Sequence, residues 1–419
     1  MAAITLLFCY TNKVFTMKES PIRICQFTPC LWSGGTEERI ARIINNLPAS
    51  QFRVTWMGFG PVREALVDKA GPSVQVFPIA RHPQRGIEWQ SILAIQRLLS
   101  RTKPHILHLH NWSTSLYGIA AGRLAGVPRI LYGSGGREIS TGANARRQKW
   151  MHTLAPHIDG YTSVCQFLGE ELIEDFGASK DQLHVIKTGV DTAKIALGTT
   201  RRDVAREQLG IPKDALVVGA ISVFRPVKRI PDLIEAVGRI AKKHANVHLL
   251  LIGNPVRMTV EDLRDQAKEQ GFGDRIHLPG RLEDPSTVLS AFDVFVNCSE
   301  FEGSSNAIIE AMASRLAVVG TAVGGTPELI KHEKTGLLVQ PSQVDELTKA
   351  IERLVIDPEL RTFLGNRASE FAEVEHNCRA MYAAYRTLYE NHFEDQNLGR
   401  WTSLSNAARA TFKSVRVQF

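Results

Sequence analysis

The chain has 419 residues, 44% of them hydrophobic and 22% charged, a globular balance that excludes a disordered protein and is too long for one ordinary core. A formal net charge of +7 admits nucleic acid, an anionic membrane surface or an acidic substrate as partner, without choosing among them. No stretch approaches the roughly 18 consecutive apolar residues of a membrane span, and the six cysteines form no CxxC pair, so a reduced, cytoplasmic protein is expected.

Residues 1–20 read as an N-terminal extension. The apolar run 2–10 is short, with no basic residue before it and no small-residue cleavage site after it, which makes Met17 the expected functional start. Strands are then predicted at 22–27, 54–58, 74–79, 106–110 and 129–132, with helices at 37–47 and 89–99. The rhythm restarts after Asp191. Strands are predicted at 216–223, 247–252, 276–278, 294–296 and 317–319, with helices at 230–244, 260–270 and 307–314. Alternation of this kind predicts parallel sheets covered by helices on both faces. The polar segment 198–203 suits a linker, so two doubly wound α/β domains follow, at 21–195 and 196–376. Ligand crevices in such sheets lie at the carboxyl ends of the strands, and two facing domains enclose a cleft.

The richest segment is Glu302-Gly-Ser-Ser-Asn-Ala-Ile-Ile-Glu310, between a predicted strand and a predicted helix. Ser304, Ser305 and Asn306 are candidate helix caps. The exposed N–H groups at such a helix start favour a phosphate, and a carboxylate one turn further in can accept two hydrogen bonds from a ribose. Read alone, Glu310 is equally a solvated helix residue and Ser305 or Asn306 a simple cap. A second segment, Phe224-Arg-Pro-Val-Lys-Arg229, follows the first strand of the second domain. Arg225 and Lys228 suit a departing diphosphate, since guanidinium gives phosphate a fork and ammonium a point charge. Alone they are ordinary loop charges. A third, Ser33-Gly-Gly-Thr-Glu37, follows the first strand, and Gly34 and Gly35 permit close backbone approach. It is neither GxGxxG nor a Walker motif, so dinucleotide or ATP binding is unsupported. Gly280, just past the strand predicted at 276–278, joins the candidate donor-site positions.

His108 and His110 share one face of a strand and His105 does not. No carboxylate or cysteine stands at ligand spacing, so zinc is the minor reading and no metal is expected. No DxD motif occurs. The tail 393–419 is basic, and Trp401, Leu404, Ala408, Phe412, Val415 and Phe419 recur at helical steps. It fits either an anionic membrane surface or self-packing.

Taken together these segments resemble glycosyltransferase family 4, the retaining GT-B enzymes. The resemblance rests on Glu302-Gly303, Asn306-Ala307 and Glu310-Ala-Met-Ala313, then on Val323-Gly-Gly-Thr-Pro-Glu328 and Gly336-Leu-Leu-Val339. It runs from about residue 21 to about residue 389. It implies the GT-B fold, two Rossmann-like domains facing across a cleft, with helix 377–392 crossing back to complete the first. It implies that Glu302 contacts the donor sugar, Glu310 the ribose, and Lys228 with Arg225 the diphosphate. Gly34, Gly35, Ser304, Ser305, Asn306 and Gly280 would line the donor site, with His108, His110 and Arg137 as cleft candidates.

The sequence departs from the family pattern in four places. Val223 holds the usual arginine position of the phosphate loop, leaving Arg225 as its nearest substitute. Arg315 and Ala317 stand where glycine and proline are usual. Gly135 stands where many members carry a histidine near the reacting centre. The Thr188-Gly-Val-Asp191 turn matches a structural segment that closes the first domain.

The implied activity is retaining, metal-independent transfer of a sugar from a nucleoside-diphosphate sugar to a hydroxyl of a glycan or lipid-linked glycan, in cell-surface polysaccharide biosynthesis. No cofactor is expected. Peripheral contact with the inner face of the membrane is an expectation from the basic tail. Nucleic acid is not, because no aromatic–basic platform occurs. The alternatives are a nucleotide-sugar epimerase or hydrolase on the same fold, and a non-catalytic partner subunit.

Overall fold

The computed structural model describes residues 20–394 apart from 33, 80–87, 137–144, 199–200 and 283–284. The proposed N-terminal extension, Arg137 and the basic tail beyond 394 lie outside the described residues.

The first sheet contains β1 (Ile22–Leu31), β2 (Phe52–Val62), β3 (Gln75–Ile79), β4 (Ile106–His110), β5 (Arg129–Ser134), β6 (Gly160–Ser163) and β7 (Leu183–Val185), in the order β3-β2-β1-β4-β5-β6-β7. The second contains β8 (Leu216–Ile221), β9 (Val247–Ile252), β10 (Ile276–Gly280), β11 (Val294–Asn297), β12 (Ala317–Thr321) and β13 (Leu337–Val339), in the order β10-β9-β8-β11-β12-β13. The paired strands run parallel in both. These strands are apolar almost throughout because both of their faces are covered. In the second sheet Val218, Leu249, Leu251, Val294 and Val296 enter one core layer. Val217, Leu250, Ile252, Phe295 and Val318 enter the other. The helix Ile230–Ala241 packs the first layer with Leu233, Ile234, Val237 and Ile240, spaced to form one stripe.

β1 runs to Leu31, four residues past its predicted end, although Pro29 lies within it. The pairing with β4 stops at Phe27, and the register with β2 shifts between Thr28 and Cys30. Proline lacks the N–H that a fully paired strand needs, so it sits where β1 has become irregular.

Two reversals of strand order follow, one between β1 and β4 and one between β8 and β11. Successive helices leave to opposite sides there, which opens a crevice at the carboxyl ends of these strands.

After the helix Pro358–Glu375 the chain returns to the first sheet and forms a helix over 378–394. Met381, Tyr385, Leu388 and Tyr389 of that helix are buried with Ile24, Ile40, Trp56 and Leu131 of the first lobe. The chain passes between lobes at two adjoining segments. Val190 N–H donates to His376 carbonyl and Cys378 N–H donates to Val190 carbonyl, closing a parallel bridge between Val190 and Asn377. Gly189 is required here, since a Cβ would stand 2.7 Å from the Asn377 carbonyl oxygen. The 188–191 turn is thus a structural joint.

A buried tyrosine hydroxyl ties the returning helix to the first strands of the sheet. Tyr389 Oη accepts from Gln26 Nε2 at 2.8 Å and lies 3.0 Å from His108 Nδ1. Tyr389→Phe leaves both buried partners unsatisfied and is expected to cost about 1–3 kcal/mol. A denaturant titration reads this as a lowered midpoint, and an unchanged midpoint would remove Tyr389 as the anchor.

Candidate active site

The loop after β8 is shaped by Phe224, which is buried and ties the loop back through its N–H to the Asn254 carbonyl. A single tight turn, Pro226–Lys228, follows, and Arg229 then takes a left-handed backbone with φ 52°. Arg229 is held by Asp232 at 2.9 Å and Glu300 at 3.3 Å. The turn aims Lys228 inward, and its Nζ meets Glu302 Oε2 at 2.5 Å. Arg225 opens the same turn and is exposed, as is Val223.

Glu302 lies in the loop after β11. Its Oε2 also accepts from Ser299 Oγ at 3.2 Å and Asn297 Nδ2 at 3.3 Å. Three donors therefore hold one oxygen, and Oε1 has no partner among the described residues. The loop backbone is braced by Gly324 and Gly325. A Cβ at either would come within 2.0 Å of the carbonyl oxygen of Glu302 or Gly303. Ser305 caps the helix Asn306–Ala313 by accepting from the Ile308 N–H. Glu310 is half-buried one turn inside that helix, on the same face as Asn306.

From the first lobe, Gly34 precedes the helix Gly35–Asn45, and a Cβ on Gly35 would reach 4.0 Å from Asn306 Nδ2 of the second lobe. Gly280 closes β10 at the outer edge of the second sheet with φ 79°, on the same rim but two strands from β8.

His108 and His110 differ from the expectation that they line the open cleft. Both are fully buried. His108 spends its nitrogens on Tyr389 and on Thr162 Oγ1 at 3.2 Å, and His110 Nε2 lies 2.7 Å from Gln26 Oε1. Burial pulls the His108 imidazole down to about 3, and burial with the neighbouring His108 holds His110 well below its usual range. Both rings are neutral packing and hydrogen-bonding groups.

Four buried side-chain atoms have no partner among the described residues at these two reversals: Arg39 Nε, Asn111 Oδ1, Ser222 Oγ and Ser304 Oγ. They follow β1, β4, β8 and β11 respectively. Atoms of this kind occur elsewhere too, at Tyr161, Thr188 and Ser290 among others, but these four lie at the strand ends where a polar ligand would satisfy them. A separate 370 Å³ cavity lined by Arg23, Arg53 and Arg101 opens at the opposite, amino-terminal edge of β1 and β2, away from these loops.

The lobes touch beside Glu302. Cys165 Sγ donates to the Gly303 carbonyl at 3.3 Å. Glu328, opening a short helix of the second lobe, accepts from the N–H groups of Gln166 and Phe167 at 2.8 Å each. These are the first donors of the helix Gln166–Phe176, whose own cap position, Cys165, provides no side-chain acceptor. Burial pushes the Cys165 and Cys298 thiols up to about 12, so neither is a nucleophile near neutral pH.

Residues 201–371 match the family described as Glycosyl transferases group 1, and residues 33–194 match Glycosyltransferase Family 4. The chain belongs to glycosyltransferase family 4. Among relatives of this family 4 chain is N-acetyl-alpha-D-glucosaminyl L-malate synthase of Bacillus anthracis, 29% identical over 48% of this chain and 52% of that protein. The chain thus spans about half the length of that relative. The UDP-Gal:alpha-D-GlcNAc-diphosphoundecaprenol alpha-1,3-galactosyltransferase of Escherichia coli is 25% identical over 76% of this chain and 84% of its own length. The crystal structure of Anabaena HepE in complex with UDP covers 89% of this chain and 100% of that one, with a TM-score of 0.75 at 19% identity, a likeness of fold. The two Rossmann-like domains are those of the GT-B architecture.

Sequence reasoning overlooked Glu328, which it met only as the end of a Gly-Gly-Thr-Pro-Glu run. A carboxylate opening a helix reads as that helix's own first-turn acid, and nothing local shows that it caps another. Glu328→Ala removes two charge-assisted hydrogen bonds between the lobes. The expected result is a larger radius of gyration in small-angle scattering of the unliganded protein; an unchanged curve would mean that Glu328 does not hold the lobes together.

Proposed function

We propose that this chain transfers a sugar from a nucleoside-diphosphate sugar to a hydroxyl of a glycan or lipid-linked glycan, with retention at the anomeric carbon, in cell-surface polysaccharide biosynthesis. The observation that carries this reading is the Lys228–Glu302 pair, set among unsatisfied polar atoms where both sheets reverse. The UDP named with HepE and the lipid diphosphate named with the E. coli relative support the same substrate classes.

Charge grows on the diphosphate oxygen as the glycosidic bond breaks, and fixed donors stabilise it most when they need no reorganisation. Lys228 stands ready for that role, with Arg225 at the mouth of the same turn and the N-terminus of the helix Asn306–Ala313 facing the crevice. Such fixed cations would do without a metal ion. Glu302 keeps one oxygen in the pair and turns Oε1 to a sugar hydroxyl. Glu310 takes the ribose. The acceptor oxygen bonds to the anomeric carbon on the side from which the diphosphate leaves, its proton passes to the departing diphosphate oxygen, and closure of the lobes excludes water. Among the described residues no helix is long and apolar enough to cross a membrane. Contact with an anionic membrane surface through the basic tail is part of the proposal.

A mass-spectrometric screen of UDP-, GDP- and ADP-sugars should find one donor that is bound and turned over. With that donor, Lys228→Ala is expected to lower kcat by about 10²–10³-fold, and Glu310→Ala to raise the donor KM with a smaller change in kcat. Failure to bind any nucleotide sugar, or full turnover by Lys228→Ala, would sink the proposal. Product formed without acceptor would instead indicate hydrolysis or epimerisation.

A further inference from the structure

Arg39 lies on the helix Gly35–Asn45 and is only 5% exposed. Its neighbours on the helix include the apolar Ile40, Ile43 and Ile44, and it makes no ion pair among the described residues. Its Nε is buried without a partner. Glu37, two residues earlier, accepts from Cys30 Sγ at 3.5 Å and feels the Arg39 charge without forming an ion pair with it, and Glu302 is engaged with Lys228. A guanidinium carries a fixed charge, and burying it without an ion pair among the described residues is a costly arrangement for a fold to keep.

The guanidinium occupies a definite place. A Cβ on Gly135 would lie 2.9 Å from Arg39 Nη2, 3.6 Å from Nη1 and 2.9 Å from Thr36 Oγ1. The absence of a side chain at position 135 is therefore what gives Arg39 and Thr36 their common point of convergence. The Gly135 carbonyl in turn lies 3.1 Å from where a Cβ of Gly303 would stand, so this point adjoins the Glu302–Gly303 loop of the opposite lobe. The nearby imidazoles of His108 and His110 are neutral and bring no counter-charge.

The geometry points to an anion subsite on the first lobe's wall of the cleft, in which the Arg39 guanidinium and the Thr36 hydroxyl take a phosphoryl group of a substrate opposite Glu302 and Gly303. The subsite rests on the reading of the cleft as a sugar-transfer site. Its phosphoryl group belongs either to the donor diphosphate or to a phosphorylated acceptor. The planar guanidinium offers a bidentate fork to two oxygens of a phosphoryl group, and these charge-assisted hydrogen bonds would be lost with any neutral side chain.

The test uses the full chain and two calorimetric titrations: inorganic pyrophosphate or UDP alone, and inorganic phosphate over saturating UDP. Arg39→Met is expected to weaken one of them at least tenfold. Loss in the first assigns the subsite to the donor; loss in the second, with UDP binding intact, assigns it to the acceptor. The unliganded melting temperature of Arg39→Met should be no lower than that of the wild type, since a buried charge with no ion pair among the described residues has been removed. Gly135→Ala should weaken the same titration while keeping Arg39, because its methyl intrudes on the convergence point. Wild-type binding of both probes by Arg39→Met, with or without a lower melting temperature, overturns the subsite, as does a wild-type chain that binds neither probe. Lys228→Ala separates the two readings. UDP binding lost in Lys228→Ala but not in Arg39→Met, with phosphate binding also unaffected, keeps the transferase and discards the subsite. Phosphate binding lost in Arg39→Met by a chain that does not bind UDP keeps the subsite and discards the transferase.

Discussion

Each sheet changes its winding direction once, beside its own first strand, and the candidate site depends on that constraint. A parallel strand must be followed by a crossover, and crossovers of one hand carry successive helices to one face until the order reverses. Beside β1 and beside β8 two neighbouring loops therefore diverge and leave their backbone N–H groups and side chains uncovered. The Gly-Gly loop, Asn111, the Lys228 turn and the Glu302 loop all come from these four strand ends. The chemistry of the cleft is a product of topology first and of residue identity second.

Residue identity then decides how a charged loop survives partial burial. Lys228 and Glu302 are mostly covered, at 22% and 14% side-chain exposure, and neither would be tolerated there alone. Their pairing, supported by Ser299 and Asn297, keeps the site formed before a ligand arrives. The close backbone contacts at Gly324 and Gly325 add rigidity from the other side. A preorganised pair of this kind suits a reaction whose main demand is stabilisation of charge rather than covalent help from the protein.

The sequence made the strands legible because strands buried on both faces appear as short apolar runs, and Val247–Ile252 needed no other cue. It made the Glu302 segment legible because polar residues, glycine and a helix start stand together. Strand parity put His108 and His110 on one face, but it could not show that the face is closed by Tyr389 from a helix more than 270 residues away. Arg39 was equally opaque. A charged residue on an otherwise amphipathic helix reads as solvated, and only the space beside Gly135 reveals otherwise. The extension of β1 past its predicted end was hidden too, since a proline such as Pro29 argues against a strand until the strand is seen to lose one partner. In each case the missing information was a contact between distant segments, which periodicity and local propensity do not encode.

The joint at 188–191 and 376–378 has a bearing on how the molecule is made. The first lobe is synthesised first, yet four of its buried side chains, Met381 through Tyr389, come from the very end of the described chain. The second sheet has all its strands once β13 has emerged. The later lobe still needs Leu347, Ile351, Leu364 and Ala372 of its last two helices, and these emerge before 381–389, so its core can finish while Ile24, Ile40 and Trp56 of the earlier lobe are short of their final cover. The nascent chain completes itself in reverse order of synthesis, and the window between the two events is when the unfinished half is most exposed to chaperones or to aggregation.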